Sequence, residues 1–354
     1  MAAAIAARQR GFRVTVADGR TPPIDKACGE ALMPDALGAF HQLGFAIRTC
    51  ETRSLTGVRF LASGGISVEA DFPAEFCGFS IRRTILHRMM VERATEMGVD
   101  LLWGAVVTGI SETAVQVSGR TVRTKWIVGA DGVNSRVRAW AKLQAHSHSR
   151  LRYAFRRHYR VRPWSSRMEI HWGKSSQAYT SPVNDAEVCI AVASRDPALR
   201  LDNALEEFPE LNRRLQGAEI SSTERGAVSA NRKLKRVWRN NVALIGDASG
   251  TVDAITGEGL GLAFHQALIL AECMKAGDLR PYQAAHRKLA LRPSLMARLM
   301  LTLDRRPALQ RRTLQVFRRH PQLFERLLAL HVGELSPYDL ARDGVTLGWG
   351  LLRA

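Results

Sequence analysis

Three stretches of this chain carry residue types whose spacing suits a flat or phosphorylated ligand. In the strongest, Val242-Ala243-Leu244-Ile245 reads as a buried strand that delivers Asp247 inside Gly246-Asp247-Ala248-Ser249-Gly250. A carboxylate placed at a strand end can hold the hydroxyls of a polyol. Asp253-Ala254-Ile255-Thr256-Gly257-Glu258-Gly259-Leu260-Gly261 follows. Its glycines let the backbone come close to a ligand. A helix starting near Gly259 would turn its N–H groups and positive dipole end toward that ligand. The second stretch, Val128-Gly129-Ala130-Asp131-Gly132-Val133-Asn134-Ser135-Arg136, runs from a buried strand into a helix start. The third, residues 12–18, is a strand ending in Asp18, placed like the second strand of a βαβ unit whose acid binds a ribose. By itself, an ordinary turn acid would account for it.

Positioning these residues needs a particular set of elements. Helices are expected at Ala2–Gln9, 34–43, 84–97 and 259–275, and the residues beyond about 276 read as mostly helical. Strands 54–60 and 65–70 form a hairpin around 62–64, and residues 151–195 form a meander. Strand–helix alternation at both ends with a strand-rich middle indicates an α/β protein with an inserted, mostly antiparallel sheet. Strand 152–160 alternates. Tyr153, Phe155, Arg157 and Tyr159 share one face, and Arg152, Ala154, Arg156, His158 and Arg160 share the other. The aromatics, with His171 and Trp172, are read either as pocket walls or as ordinary inter-sheet packing.

These features together resemble the FAD-dependent oxidoreductases of the p-hydroxybenzoate hydroxylase fold, most of all the geranylgeranyl reductase-like and flavin monooxygenase branch. Gly246-Asp247 with 253–261 looks like the second FAD motif, and Gly129-Ala130-Asp131-Gly132 like the middle one. Lys26-Ala27-Cys28-Gly29-Glu30 is similar to the loop after the ribose acid. Arg83-Thr84-Ile85-Leu86 is similar to the arginine ahead of a helix, with His87 where an Asp is usual. Two departures stand out. Ala254 replaces a proline, and the strand and glycine turn ahead of the first helix are not in this sequence. Met1 to Ala7 reads as the continuation of such a helix, so the expectation is an N-terminally truncated unit. A flavin-free, degenerate chain is the rival.

The resemblance implies roles. Asp18 would bind the adenosine ribose, and Gly29 and Glu30 would line the adenine-to-ribityl side. Arg83 would meet the phosphate or ribityl region, and Val107 would offer backbone to the adenine. Asp131 would be structural or would receive a nicotinamide nucleotide. Asp247 would hold the ribityl chain or pyrophosphate, while Gly257, Gly259 and Leu260 would lie against the isoalloxazine. Catalytic residues are not identified; Cys28, Thr256, Gly257 and Glu258 are the pocket candidates. The implied fold is a Rossmann-like FAD domain (1–50, 80–147, 236–290) with an inserted antiparallel substrate domain (51–79, 148–235) and a helical C-terminal region (291–354). The implied cofactors are FAD and NAD(P)H as reductant. The first functional expectation is a monooxygenase acting on an aromatic or lipid-like small molecule. The second is a reductase saturating isoprenoid or polyene double bonds, and the third is a flavin-free binding protein.

Other chemistries fall away. There is no GxSxG, HExxH or Walker A loop, and the WxWxIP stretch of flavin halogenases is absent. Cys28, Cys50, Cys77, Cys189 and Cys273 are odd in number, dispersed and without a CxxC. Neither a disulfide framework nor a metal site is expected, and the compartment reads as reducing and cytoplasmic. Cys28 has no partnered base and reads as a pocket liner. His265 reads as a helix-face residue. The start, MAAAIAARQRG, puts its basic residues after the apolar stretch, the wrong order for a secretory signal. No apolar run approaches the roughly 18 residues a spanning helix needs.

The 354 residues carry 51 Lys and Arg against 33 Asp and Glu, a net charge of +18. An arginine-rich proteome explains this blandly; an anionic ligand or membrane surface explains it sharply. No nucleic-acid recognition motif accompanies the charge, so none is expected as partner. From Arg280 to Arg326 there are 12 basic residues and two acids, Asp304 and Glu325, interleaved with leucines. Such a segment is either a solvated helix packed on its own domain or a peripheral contact with the inner face of an anionic membrane. The oligomeric state is not legible.

Overall fold

The computed structural model describes residues 1–62, 64–73, 76–143 and 151–336. Part of the expected turn at 62–64, the expected boundary at 147/148 and the tail beyond 336 lie outside the described residues. The helices, in chain order, are α1 (Ala2–Gln9), α2 (Pro34–Gln42), α3 (Arg83–Glu96), α4 (Arg136–Trp140), α5 (Leu201–Leu205), α6 (Pro209–Leu215), α7 (Gly259–Ala276), α8 (Arg280–Arg305), α9 (Pro307–Arg319) and α10 (Pro321–His331).

The nucleotide-binding half is built from parallel pairs. Thr15–Asp18 pairs with Asp100–Trp103, and Ile127–Gly129 pairs with Val242–Leu244. The second pair brings the two glycine motifs side by side. Gly129 is needed there, because a Cβ would sit 2.8 Å from both Leu244 and Val137. Alanine-rich α1 is a strong helix former, and it buries Ala2, Ala4, Ile5, Ala6 and Ala7. The same core holds Leu32, Ala36, Phe40, Leu43, Leu86, Phe264 and Ala267, so α1, α2, α3 and α7 share it. Phe40 stacks on Phe45 at 4.8 Å within it.

The substrate half is an eight-stranded sheet. Its order runs Glu219–Ile220, Arg152–Arg160, Glu187–Ser194, Ser176–Asn184, Arg167–Trp172, Gly57–Ala62, Ile66–Asp71, and Arg225–Ser229 also pairs with Arg152–Arg160. It is antiparallel except where Arg167–Trp172 runs parallel to Gly57–Ala62. Ile66–Asp71 is buried at every second residue, the mark of a one-sided strand. The covered face meets α8, α9 and α10 through Val58, Phe60, Val68, Met300, Phe317 and Phe324. Phe60 stacks on Trp172 at 4.8 Å. Helix α8 is continuous from Arg280 to Arg305, with Pro293 inside it and buried.

One expected pocket wall turns out to be core. Tyr159 is buried and Phe155 packs beside it in a cluster with Leu201, Leu205, Phe208 and Leu211, so α5 and α6 cover that face. His171 meets Phe208 edge-on at 6.0 Å. The inward face is the polar one. Arg152, Arg156 and His158 are at most 4% exposed. Buried guanidinium groups persist only when paired, and their partners come from two distant loops and another strand of the sheet. Arg152 donates to Asp253 (2.9 Å) and Gln177 (2.8 Å), and Arg156 donates to Asp25 and to the Lys26 carbonyl (2.9 Å).

Candidate functional site

The candidate residues gather at the ends of the parallel strands. Asp18 closes the first of them, and its carbonyl accepts the Ala105 N–H at 2.9 Å. That bond seats the strand Val107–Ile110 next to Asp18, and a Cβ at Gly19 would lie 3.4 Å from Val106. Asp18 and Val107 are thus neighbours. Arg83 opens α3, and its Nη1 is buried without a hydrogen-bond partner. Lys26, part of the Lys26–Glu30 motif but given no role by it, lies within electrostatic reach of Asp247, His87 and the first turn of α1. Burial, with help from Arg83, pushes the His87 imidazole down.

Asp247 sits in the 3-10 turn Gly246–Ser249 and is exposed. The protein walls around it still raise its carboxyl, opposed by Lys26. Gly257 takes a left-handed φ of 72°, which favours glycine. Helix α7 begins at Gly259 with no side-chain cap, so its first N–H groups face a ligand or water. A Cβ at Gly29 or Gly259 would meet nothing within 4 Å. Acids at both ends suit a ribose and a ribityl chain. An unpartnered guanidinium and Lys26 between them suit a pyrophosphate, and an uncapped helix start suits an electron-rich ring edge. The donor set fits FAD.

Two expected contacts are committed elsewhere. Asp131 accepts the backbone N–H groups of Arg136 (2.7 Å) and Val137 (3.1 Å), so it anchors the start of α4. Glu30 accepts the Arg83 N–H at 2.9 Å and pairs with His158 Nε2 at 2.6 Å. It clamps the 25–30 loop between α3 and the large sheet. Cys189 joins Glu30 and His158 within 4.8 Å. Arg82 and Arg156 also face His158 Nδ1, at 3.3 and 3.2 Å. Two guanidinium groups repel a cation, so the cluster is better suited to a hydrogen-bonded clamp than to a metal. Cys28 lies against this clamp, with Cys189 Sγ 3.8 Å from its carbonyl. Burial pushes both thiols up.

The other pocket candidates gather elsewhere. A cavity of about 50 Å³ is lined by Met33, Val58, Phe60, Met168, Ile170, Ile255, Met296, Met300, Phe324, Leu327 and Leu328, with only Thr256 and His331 polar. Such a lining stays dry, and four methionines make it deformable. Its polar end meets the flavin-type loop: Thr256 lines it, and Met33 lies 3.6 Å from a Cβ at Gly257. Cys28 is not part of that lining. Neither Asp35, Arg292 nor His331, which surround Glu258, was foreseen; they come from three different helices.

Glu258 is 5% exposed, and neither carboxyl oxygen has a hydrogen-bond partner. Burial, with Asp35 nearby, pushes its carboxyl up to about 8. Burial pushes His331 down to about 4. An unfolded Glu loses its proton near ~4.3, so unfolding releases one proton between there and about 8. The Glu258 contribution is full below pH ~4.3 and drains away as pH climbs toward about 8. His331 works oppositely, since its ordinary value is ~6.5 and its contribution fades below that. Between pH ~6.5 and 8 the buried Met1 amine, pushed down to about 6 by burial, works against Glu258, so the Glu258 effect is read as the difference between the wild-type protein and Glu258→Gln. The fall in Tm across that window should be steeper in the wild-type protein than in Glu258→Gln. Equal slopes in thermal melts would contradict the assignment.

A family model described as "FAD binding domain" matches residues 1–276. The menaquinone reductase of Mycobacterium tuberculosis (strain ATCC 25618 / H37Rv) is 27% identical over 304 residues, 78% of this chain and 74% of the relative. Digeranylgeranylglycerophospholipid reductase 1 of Methanococcoides burtonii is 28% identical over 216 residues, 55% of this chain and 52% of the relative. Among solved structures, the flavin-dependent brominase Bmp2 superposes with a TM-score of 0.80 at 19% identity, covering 98% of this chain and 95% of that one. A geranylgeranyl bacteriochlorophyll reductase-like protein of Thermoplasma acidophilum gives 0.74 at 17% identity, covering 98% and 92%. At these identities the structural likeness speaks for the fold alone.

Proposed function

This chain belongs to the FAD binding domain family and is an FAD-dependent oxidoreductase, and on that premise we propose that it saturates carbon–carbon double bonds of a prenyl-type lipid. The observation that carries this reading is the cavity, whose lining is apolar except where it meets the 256–259 loop. A phenol awaiting hydroxylation needs polar groups to orient its ring, whereas an isoprenoid chain needs a dry slot. The two relatives named as reductases support the same reading.

In this reading Asp18, Gly29, Val107 and Lys26 hold the adenosine and pyrophosphate side of FAD, with Arg83 Nη1 on the phosphates. Asp247, Gly257, Gly259 and Leu260 hold the ribityl and ring side. Bound there, the flavin supplies the hydride, drawn from NAD(P)H. Arg152 and Asp253 fix the loop against the sheet, and the methionines adapt to the chain. The test is anaerobic turnover of a prenylated quinone or prenyl lipid by FAD-loaded protein. A saturated product without O₂ supports the proposal. Hydroxylated product formed in step with O₂ uptake would establish the monooxygenase reading instead.

A lipid substrate raises the question of where it is met. Among the described residues no helix is long and apolar enough to cross a membrane. Helix α8, however, has an exposed stripe at 284, 287, 288, 291, 295, 298, 302 and 305. Leu291 (69% exposed) and Leu295 (48%) sit at its centre, flanked by Arg287, Lys288, Arg298 and Arg305, with no acid on the stripe. The opposite face of α8 contributes Met296 and Met300 to the cavity. We propose that this stripe lies on an anionic membrane. Leu291→Glu with Leu295→Glu is expected to weaken sedimentation with phosphatidylglycerol vesicles by about tenfold or more. Undiminished binding would show that the stripe is not the contact.

A further inference from the structure

We propose that Glu258 is the buried proton source of this site, feeding the polar end of the apolar cavity with His331 beside it. The inference rests on the double-bond reductase reading. Its ground is a four-residue cluster assembled from three other helices around the start of α7. Arg292 on α8 is ion-paired with Asp35 on α2 and stands 3.6 Å from Glu258 Oε1. His331, at the end of α10, places Nδ1 3.7 Å from Glu258 Oε2. His265 on α7 bonds the Asp35 carbonyl at 2.9 Å and does not face Glu258 directly.

The charges in this cluster balance in only one economical way. Arg292 is a single cation shared by two carboxyl groups, and it is closer to Asp35. Burial pushes both carboxyls up, but Asp35 holds the closer guanidinium contact; Asp35 is then the carboxylate, and Glu258, with neither oxygen hydrogen-bonded, is the group that keeps its proton. His331 Nδ1 is also buried and unpartnered, which leaves the imidazole neutral and able to accept. Full transfer from this acid to this base, 3.7 Å apart, would leave a carboxylate beside an imidazolium, so His331 passes a proton on only as its other ring nitrogen gives one up. His331 and Thr256 line the cavity; Glu258 does not, and it reaches the lining through its 3.7 Å approach to His331.

Saturating a double bond needs two different hydrogens. One carbon would take a hydride, with its electron pair, which a reduced flavin held at this site would supply. The other takes a proton passed through His331, forming a C–H bond as the O–H bond at Glu258 breaks. The electron pair of that O–H bond stays on the carboxylate, where Arg292 offsets the new charge. Uptake of one proton from water through His331 restores the acid. The acid, the base and the guanidinium are each placed for their part.

The experiment has two readouts. The first uses infrared spectroscopy on the protein without added substrate. A carbonyl band from a protonated carboxyl should be present at neutral pH, fade in alkaline buffer, and be missing from Glu258→Gln. Absence of that band in the wild-type protein would overturn the proposal outright. The second compares wild-type and Glu258→Gln in the anaerobic assay with a prenylated quinone. General acids typically contribute roughly 10²–10⁴-fold, so kcat should fall by about that factor with KM little changed. Glu258→Asp should recover part of the loss, and flavin content should match the wild type. A band present with kcat unchanged in Glu258→Gln would remove the donor role. If the wild-type protein itself makes no saturated product, the reductase reading fails and the donor role falls with it. The infrared result would then still decide whether Glu258 holds the proton.

Discussion

Replacing Arg152 with Met is expected to cost about 3–5 kcal/mol of folding stability and to loosen the 253–257 loop, which is proposed to face the flavin. Arg152 and Asp253 are 4% and 3% exposed and pair at 2.9 Å. Removing the cation leaves a buried carboxylate that keeps only one backbone donor, the Ile255 N–H at 3.1 Å. That same bond shapes the short 3-10 turn Ala254–Thr256, which ends in Gly257. The strand supplying Arg152 also carries Arg156 and His158, so the pair ties the large sheet to the cofactor loop. Urea denaturation should show the loss in Arg152→Met, and FAD should leave the protein more readily. The double variant Arg152→Met with Asp253→Asn removes both charges and keeps an acceptor for Ile255. It should regain most of the stability, because a neutral buried pair carries no unpaired charge. If the double variant is as unstable as the single one, shape rather than charge holds the loop.

The contrast between these two arginine-bearing faces marks what sequence reasoning can reach. Local patterns were readable. Helix α1 spans Ala2–Gln9, and α3 lies within one residue of its expected bounds. The strand-to-glycine steps at Gly129 and Gly246 fall on adjacent parallel strands. These depend on neighbours in sequence and on periods of two and 3.6. The alternation of strand Arg152–Arg160 was readable too, but not which side faces inward. Aromatic residues suggest a pocket wall until α5 and α6, some 45 residues further on, are seen to cover them. Arginines suggest solvent until Asp25, Gln177 and Asp253 arrive to pair with them. The Glu258 cluster has the same character: Asp35, Arg292 and His331 span nearly 300 residues, and no local spacing links them. Lys26 stood inside a quoted motif, yet only the fold brings it toward Asp247.

Met300→Trp should abolish turnover on a prenyl substrate while leaving flavin binding intact. Met300 is 8% exposed and lines the cavity from α8, opposite Ile170 of the sheet and beside Phe324 of α10. The free space is about 50 Å³, well under the 150 Å³ or so of a cavity that admits benzene. A chain enters only if the thioether side chains swing aside, and methionine is suited to that because it has three rotatable bonds. An indole at 300 fills the slot and cannot fold away. Overpacking of this kind typically costs about 1–3 kcal/mol, small enough for a chain of this size to stay folded. The cofactor is proposed to lie between Asp18, Arg83 and Asp247 and to meet the cavity only at the 256–259 loop, so flavin content should be retained. Activity on the prenyl lipid should fall by roughly 10² or more, since a misplaced substrate forfeits the orientation on which the chemistry depends. Dithionite should still bleach the flavin at the normal rate. A Met300→Leu control, close in volume, should retain most activity. Full turnover by Met300→Trp would mean that the substrate is received elsewhere, and the cavity would then be only a packing defect beneath the C-terminal helices.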